Sequence, residues 1–295
     1  MFPSFRSFPP SLRLFGSILV AGVVLVGCGP TTNQPAGQTS AYDRAKGAFK
    51  SGDLDKALQL TDKLATATPP ADSTERARVL RAVIYTGQLK GAKELAEAYS
   101  QGAEKTKNPQ FEVAYRRLQN ENLQTAGKAA LNLAETAHQI APGGVIVKEL
   151  TLEASFPTTE GPTEINELAT VEKGDWIEPD QQDKASADAH RKGVDDALAD
   201  VVAGDRAKAR QALAGGSIKL DGAAFAIFLA QELAEGAIVF DLHHGINPGR
   251  LNTLCDEGEE SLKAALALLK DTPNKDQEKQ IKKLQDKFKT IRKDR

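Results

Sequence analysis

Ala57 and Ala92 stand 35 residues apart, and each lies five residues beyond a glycine, Gly52 and Gly87. Around them the apolar residues recur at helical spacing. Ala45, Ala48 and Phe49 precede the first glycine, and Leu54, Ala57, Leu58 and Leu64 follow it. Val79, Leu80, Val83 and Ile84 precede the second, and Leu89, Ala92, Leu95, Ala96 and Tyr99 follow it. A stripe at this spacing must be buried, so the interval predicts helix pairs stacked one on the next. Gly52-Asp53 and Gly87-Gln88 are expected to be the turns, and Pro69-Pro70 to end the first pair, because proline cannot continue a helix. Asp72 and Glu75 then read as a capping-box-like start for the next helix. A third, less regular pair begins at Asn108-Pro109, with Leu118 on its first face and Ala130 and Ala134 on its second, and closes at Pro142. Aromatic residues are only 5% of the chain, which argues for packed alanine- and leucine-rich helices and against a β-sandwich or a base-stacking surface. The fold class expected is all-α.

The spacing over residues 41–142 resembles the tetratricopeptide repeat, a helix–turn–helix unit of about 34 residues. The matching features are Ala57 and Ala92 after the turn glycines, Ala45 and Leu80 seven residues before them, and the closing prolines Pro69 and Pro142. Ala41, Ala48, Thr61 and Ala96 stand where that family has large side chains, and the third unit lacks its turn glycine. The resemblance implies a concave face that binds peptides or partner proteins. A plain helical bundle is the alternative reading of the same residues.

Residues 143–181 break the helical pattern. Val145, Val147, Leu150 and Leu152 alternate with other residues, and Pro157, Gly161, Pro162, Gly174 and Pro179 follow. One or two short strands and then a loop are expected. The only tryptophan, Trp176, lies in this excursion. It is either an anchor for a partner, a role tryptophan favours, or a pin that holds the excursion on the helices.

Helical spacing returns over residues 182–295. Val194, Leu198 and Val201 precede Gly204-Asp205, and Ala209 and Leu213 follow. Residues 223–240 are the most apolar segment after the N-terminal one, but Gln231, Glu232 and Glu235 interrupt them. They read as a central buried helix and not a membrane span. Glu232 and Glu235 are followed by His243-His244, residue types that suit a metal, although the spacing is not that of a zinc-binding helix. No phosphate-cradling loop, dinucleotide fingerprint or nucleophile elbow occurs in the sequence. No cofactor is therefore expected, and the site residues are read as neither catalytic nor metal-binding. With 38 basic and 40 acidic residues, the chain carries no overall pull toward nucleic acid.

Residues 274–295 hold nine basic and four acidic residues, with Ile281, Leu284, Phe288 and Ile291 on one helical face. Two readings are open. The helix caps the array, its stripe buried against the helix before it, or its lysines, Lys282, Lys283 and Lys287 among them, recruit an anionic partner such as a lipid or glycan headgroup.

The N-terminal segment gives an address. Arg6 and Arg13 precede Leu14–Gly27, which is apolar or small throughout and shorter than a bilayer-spanning helix. This describes a secretory signal peptide over residues 1–27, with a transmembrane anchor as the alternative. Leu25-Val26-Gly27-Cys28 resembles the lipobox of bacterial lipoproteins. That resemblance implies that Cys28 is acylated, becomes the first residue of the mature protein and is followed by a tether over 28–41. It also implies residence in the cell envelope, with Gly29 in place of aspartate leaning toward the periplasmic face of the outer membrane. Cys255 then has no intramolecular disulfide partner and is expected to be a buried core residue.

The function these features imply is a lipid-anchored scaffold or adaptor that binds a protein or peptide in the envelope. Tetratricopeptide-like lipoproteins of this kind serve in outer-membrane protein assembly and cell-wall synthase control. Two alternatives remain. One is a cell-wall-associated or metal-dependent enzyme using Glu232, Glu235, His243 and His244. The other is a structural envelope protein binding glycan or lipid through its basic tail.

Overall fold

The computed structural model describes residues 40–67, 72–202, 204–240 and 248–293. The expected signal peptide, Cys28, most of its tether, Pro69-Pro70 and His243-His244 lie outside the described residues.

The chain is all-α. α1 (Ala41–Lys50) and α2 (Leu54–Ala65) form a short hairpin. Ser40 caps the first by accepting from the Asp43 N–H, and Asp53 caps the second by accepting from the Lys56 N–H. Gly52 makes the turn at φ 82°, a conformation glycine adopts without strain. The first helix pair, expected around a Gly52-Asp53 turn, is therefore present, and Ala45, Phe49 and Ala57 are fully buried along it.

The turn expected at Gly87-Gln88 is not there. α3 runs unbroken from Asp72 to Lys105. Glycine in a helix interior costs about 1 kcal/mol against alanine, and here a helix crossing accounts for it. α6 (Pro179–Val202) packs so closely on α3 that a Cβ on Gly87 would lie 2.4 Å from Val194 Cγ2. A Cβ on Gly193 would lie 2.2 Å from the Gly87 carbonyl oxygen. The second glycine of the 35-residue interval thus serves a backbone-to-backbone contact. Glu75 Oε1 accepts the Thr151 N–H at 3.1 Å, which ties α3 to a strand.

α4 (Pro109–Ile140) starts where Asn108-Pro109 predicts, with Asn108 accepting from the Gln110 N–H, and it too is a single helix with no internal turn. The three-residue link from α3 forces the pair antiparallel, each helix about 50 Å long. Successive short hairpins of equal length are accordingly limited to α1–α2, and residues 72–140 form one long hairpin.

The excursion after α4 begins with a 3₁₀ turn at Pro142–Gly144 and continues into β1 (Glu149–Leu152). The remote strand β2 (Ile218–Asp221) pairs with β1 antiparallel, Leu150 opposite Leu220. The excursion also contains a short helix, α5 (Asn166–Val171), which alternation and proline content did not predict. α7 (Arg206–Ala212) follows the Gly204-Asp205 turn as expected, with Ala209 and Leu213 buried.

β2 leads straight into α8 (Gly222–Val239), which is apolar and long enough to pass as a membrane span by composition. It is nonetheless 78% buried against the other helices, as a core helix would be. α9 (Pro248–Leu269) and α10 (Lys275–Lys293) pack on it and on each other. Ile281, Leu284 and Phe288 of α10 are buried, and Cys255 of α9 is fully buried in the same core. The last helix is therefore a cap at its apolar face.

A second, smaller core gathers at the bend between α3 and α4. Trp176 stacks on Phe111 at 5.1 Å and tilts against Tyr115 at 5.6 Å, while Leu168, Val171 and Ile177 fill in beneath. The Tyr115 hydroxyl donates to the Asp175 carbonyl. Trp176 is half-buried and pins the excursion to the long hairpin.

Candidate binding grooves

Among the grooves that open on the described residues, two are lined by the long helices. The first, about 640 Å³, lies where α2, α3, α4 and α6 meet. Its floor is apolar, from Leu54, Leu58, Tyr85 and Ala129, because the buried stripes of α2, α3 and α4 converge there. Gln88, Thr125, Lys128 and Asn132 supply polar groups around it. The Tyr85 hydroxyl is already engaged, accepting from Arg81 Nη2 at 3.0 Å. His190 lines the groove from α6, and its Nε2 is buried without a hydrogen-bond partner. Burial holds its pKa below the usual imidazole range, against the opposing charge of Asp55.

The second groove, about 720 Å³, runs between α3, α6 and α8 and is strongly charged. Lys90, Lys93, Glu94, Glu97 and Gln101 line it from α3, set three, one, three and four residues apart. Partners arrive from the other helices. Lys90 lies 3.0 Å from Glu232 of α8 and 3.1 Å from Asp200 of α6. Lys93 pairs with Glu235 at 2.9 Å, and Lys287 of α10 reaches the same carboxylate at 2.5 Å. Lys192 pairs with Glu94 at 3.0 Å, and Arg206 with Asp196 at 2.6 Å.

Glu232 and Glu235 are thus brought to one groove, but in opposite states. Burial would raise the Glu235 carboxyl, and hydrogen bonds from Lys287 and Lys93 outweigh it, holding the pKa down at about 2. Glu232 is 1% exposed, and burial pushes its pKa up despite the charge of Lys90. The Lys90 ammonium answers the charge of Glu232 at Oε1, while Oε2 has no hydrogen-bond partner among the described residues. Among the described residues no group of three or more histidine, cysteine or acidic side chains is arranged to hold a metal ion. Lys287, expected at a partner contact, is turned inward to Glu235, whereas Lys282 and Lys283 are exposed on α10.

Sequence reasoning found Glu232 and Glu235 but missed Lys90, Lys93, Asp200 and His190. The lysine stripe was visible in the spacing along α3, while its facing acids come from positions more than a hundred residues away. No protein-family model, no curated protein and no solved structure matches this chain.

Proposed function

We propose that the chain is a lipid-anchored protein of the bacterial cell envelope, held through an acylated Cys28 and acting as a protein-binding scaffold or adaptor. The periplasmic face of the outer membrane is the favoured address. The observation that carries the binding role is the first groove. An apolar floor with amide, hydroxyl and charged groups around it, open to solvent and built on four helices, suits a polypeptide segment, whose side chains need apolar cover and whose backbone needs hydrogen-bond partners.

The ion pairs of Glu235 weigh against a catalytic role for that residue in the alternative enzyme. A carboxylate with a pKa of about 2, clasped by two lysines, is a poor proton carrier near neutral pH. The burial of Ile281, Leu284 and Phe288 likewise weighs against a tail whose apolar stripe is free for lipid.

The test is amine-directed crosslinking on intact membranes, followed by mass spectrometry of the adducts. Lys128, which lines the first groove, is expected to join to one recurrent partner in wild type, and Cys28→Ser is expected to lose that adduct along with membrane attachment. Adducts spread over the lysines of the whole surface, with none enriched at Lys128, would contradict the reading.

A further inference from the structure

Residues 156–162 reach from the end of α1 to α6 with no helix or strand of their own. Pro157 and Pro162 lack backbone donors, so few bonds hold the segment down. At one end the Thr158 N–H and hydroxyl both donate to the Lys50 carbonyl, at 2.9 and 3.0 Å, where α1 stops. At the other, the Gly161 N–H donates to Asp195 Oδ2 of α6 at 2.7 Å, and the Gly161 carbonyl accepts from Arg206 Nη1 at 3.3 Å. Glu160 pairs with Arg210, whose guanidinium lies 4.6 Å from the centre of the Phe156 ring. Phe156 and Gly161 are buried, and the tip at residues 158–160 is exposed. The segment is thus a strap, and it ties together two walls of the first groove. Ser51 and Gly52, just past Lys50, belong to one wall, and His190 and Arg191 of α6 to the other. Thr159 of the strap lines the same groove.

The fastening at α6 is a costly one. Asp195 is 1% exposed, its Oδ2 takes the Gly161 N–H, and its Oδ1 has no partner. A buried carboxylate needs more donors than that to stay charged. The charged groups around it are spent elsewhere. On α7, Arg206 pairs with Asp196, and Arg210 with Glu160 of the strap. On α3, Lys90 pairs with Asp200 and Glu94 with Lys192. We propose that the strap is a proton-operated gate on the first groove, shut while Asp195 carries its proton and loosened when Asp195 is ionised. Lifting Gly161 from α6 lets water reach the carboxylate, so the charged form favours the open strap. With the strap shut, burial raises the Asp195 pKa to about 6, and with it open the pKa returns toward its ordinary value of 3.8. The shut form holds the proton more tightly, so opening is hindered below about pH 4, eases as pH rises to about 6, and levels off above that. A difference of two units amounts to about a hundredfold in the opening constant. Once the strap is free, the α1–α2 turn and α6 are no longer tied, and the groove gains room for an extended segment. The inference rests on the scaffold reading only in taking the first groove to be the binding site.

The test is hydrogen exchange on the full chain in detergent, read by mass spectrometry across residues 156–162. Each rate is divided by that of the same sequence as a free peptide, which removes the intrinsic effect of pH. Protection of the Thr158 and Gly161 amides should fall about a hundredfold between about pH 4 and pH 7. Amides around Leu89 in the core of α3 should stay far better protected at every pH, which marks the opening as local. Asp195→Asn keeps an acceptor for Gly161 and removes the titration, so its strap should be well protected at every pH. Gly161→Ala sets a Cβ 2.2 Å from the Lys192 backbone nitrogen and should leave the strap open at every pH. Strap protection that is unchanged by pH, that falls equally in Asp195→Asn, or that equals the α3 value overturns the proposal. A photoreactive residue in place of Asn132, which lines the groove, reads the consequence. Its partner adduct should be stronger at about pH 7 than at about pH 5 in wild type, and the same at both in Asp195→Asn. An adduct equal at both pH values in wild type overturns the gate. No adduct at either pH counts against the scaffold reading and leaves the exchange result to decide this one.

Discussion

Phe288 and Gly258 make a pair whose energies oppose each other, and a double-mutant cycle can read them. Phe288 of α10 is fully buried, and its ring lies over Gly258 of α9 so closely that a Cβ there would be 2.2 Å from ring Cζ. Arg292, one turn on, fixes the two helices by pairing with Asp256 at 2.7 Å and Glu259 at 3.3 Å. Phe288→Ala removes a ring from a closed site and should cost on the order of 3–5 kcal/mol. At about 2–4 °C per kcal/mol for a chain of this size, the melting temperature should fall by roughly 6–20 °C. Gly258→Ala should cost about 1–3 kcal/mol by overpacking, even though alanine is the better helix former by about 1 kcal/mol. In the Phe288→Ala background the added methyl enters space the ring has left, and Gly258→Ala should become neutral or stabilising. Thermal and urea melts of the four proteins give the coupling. A Gly258→Ala cost that is the same in both backgrounds, within about 0.5 kcal/mol, would refute the packing argument.

Three further outcomes follow from the same structure. Gly193→Ala sets a methyl 2.2 Å from a backbone oxygen of α3, which cannot rotate away, so the melting temperature should fall by several degrees; an unchanged melt would show that α3 and α6 do not cross as closely as described. Asp195 is 1% exposed and takes the Gly161 N–H at 2.7 Å, yet its Oδ1 has no partner, and burial raises its pKa to about 6. Its folded pKa lies above the unfolded value of 3.8, so its contribution is fully present below pH 4 and lost as pH rises through 6. Asp195→Asn should therefore stabilise the protein at pH 7 by on the order of 2–3 kcal/mol and flatten the stability profile between about pH 4 and 6, and a profile unchanged by the substitution would count against this burial. Cys28→Ser should leave unprocessed precursor and abolish incorporation of labelled fatty acid, and mature-sized, labelled protein from that variant would rule out the lipid anchor.

What the sequence made legible was the burial pattern, and what it hid was where helices stop. Ala57, Ala92, Leu80 and Ala130 are all fully buried, as their spacing demanded. The same spacing was silent on Gly87, since a glycine that turns a chain and a glycine that lets two helices touch read alike in one dimension. Its φ settles the matter only in three dimensions, where Gly52 is left-handed and Gly87 is helical. The strand at Glu149–Leu152 showed in the alternation of Val145, Val147, Leu150 and Leu152, but its partner is the four-residue segment Ile218–Asp221, too short to give a pattern of its own. The charged groove was half visible. Glu232 and Glu235 stood out because acids are costly on an apolar helix, whereas Lys90 and Lys93 looked like ordinary solvated lysines until α3 was laid beside α8. Trp176 was recognised as a contact residue, and Phe111 and Tyr115 decide which contact it makes.

The central claim is that this helical frame exists to hold another polypeptide, and the most direct measurement is site-specific photo-crosslinking in cells. A photoreactive residue in place of Asn132, which lines the first groove, is compared with one in place of Lys289, which is exposed on α10 and outside both grooves. The account predicts a discrete adduct of a single mass from position 132, none from position 289, and loss of the adduct in the Cys28→Ser background. Equal labelling from both positions, or none from position 132 in protein that is fully processed and folded, would contradict it.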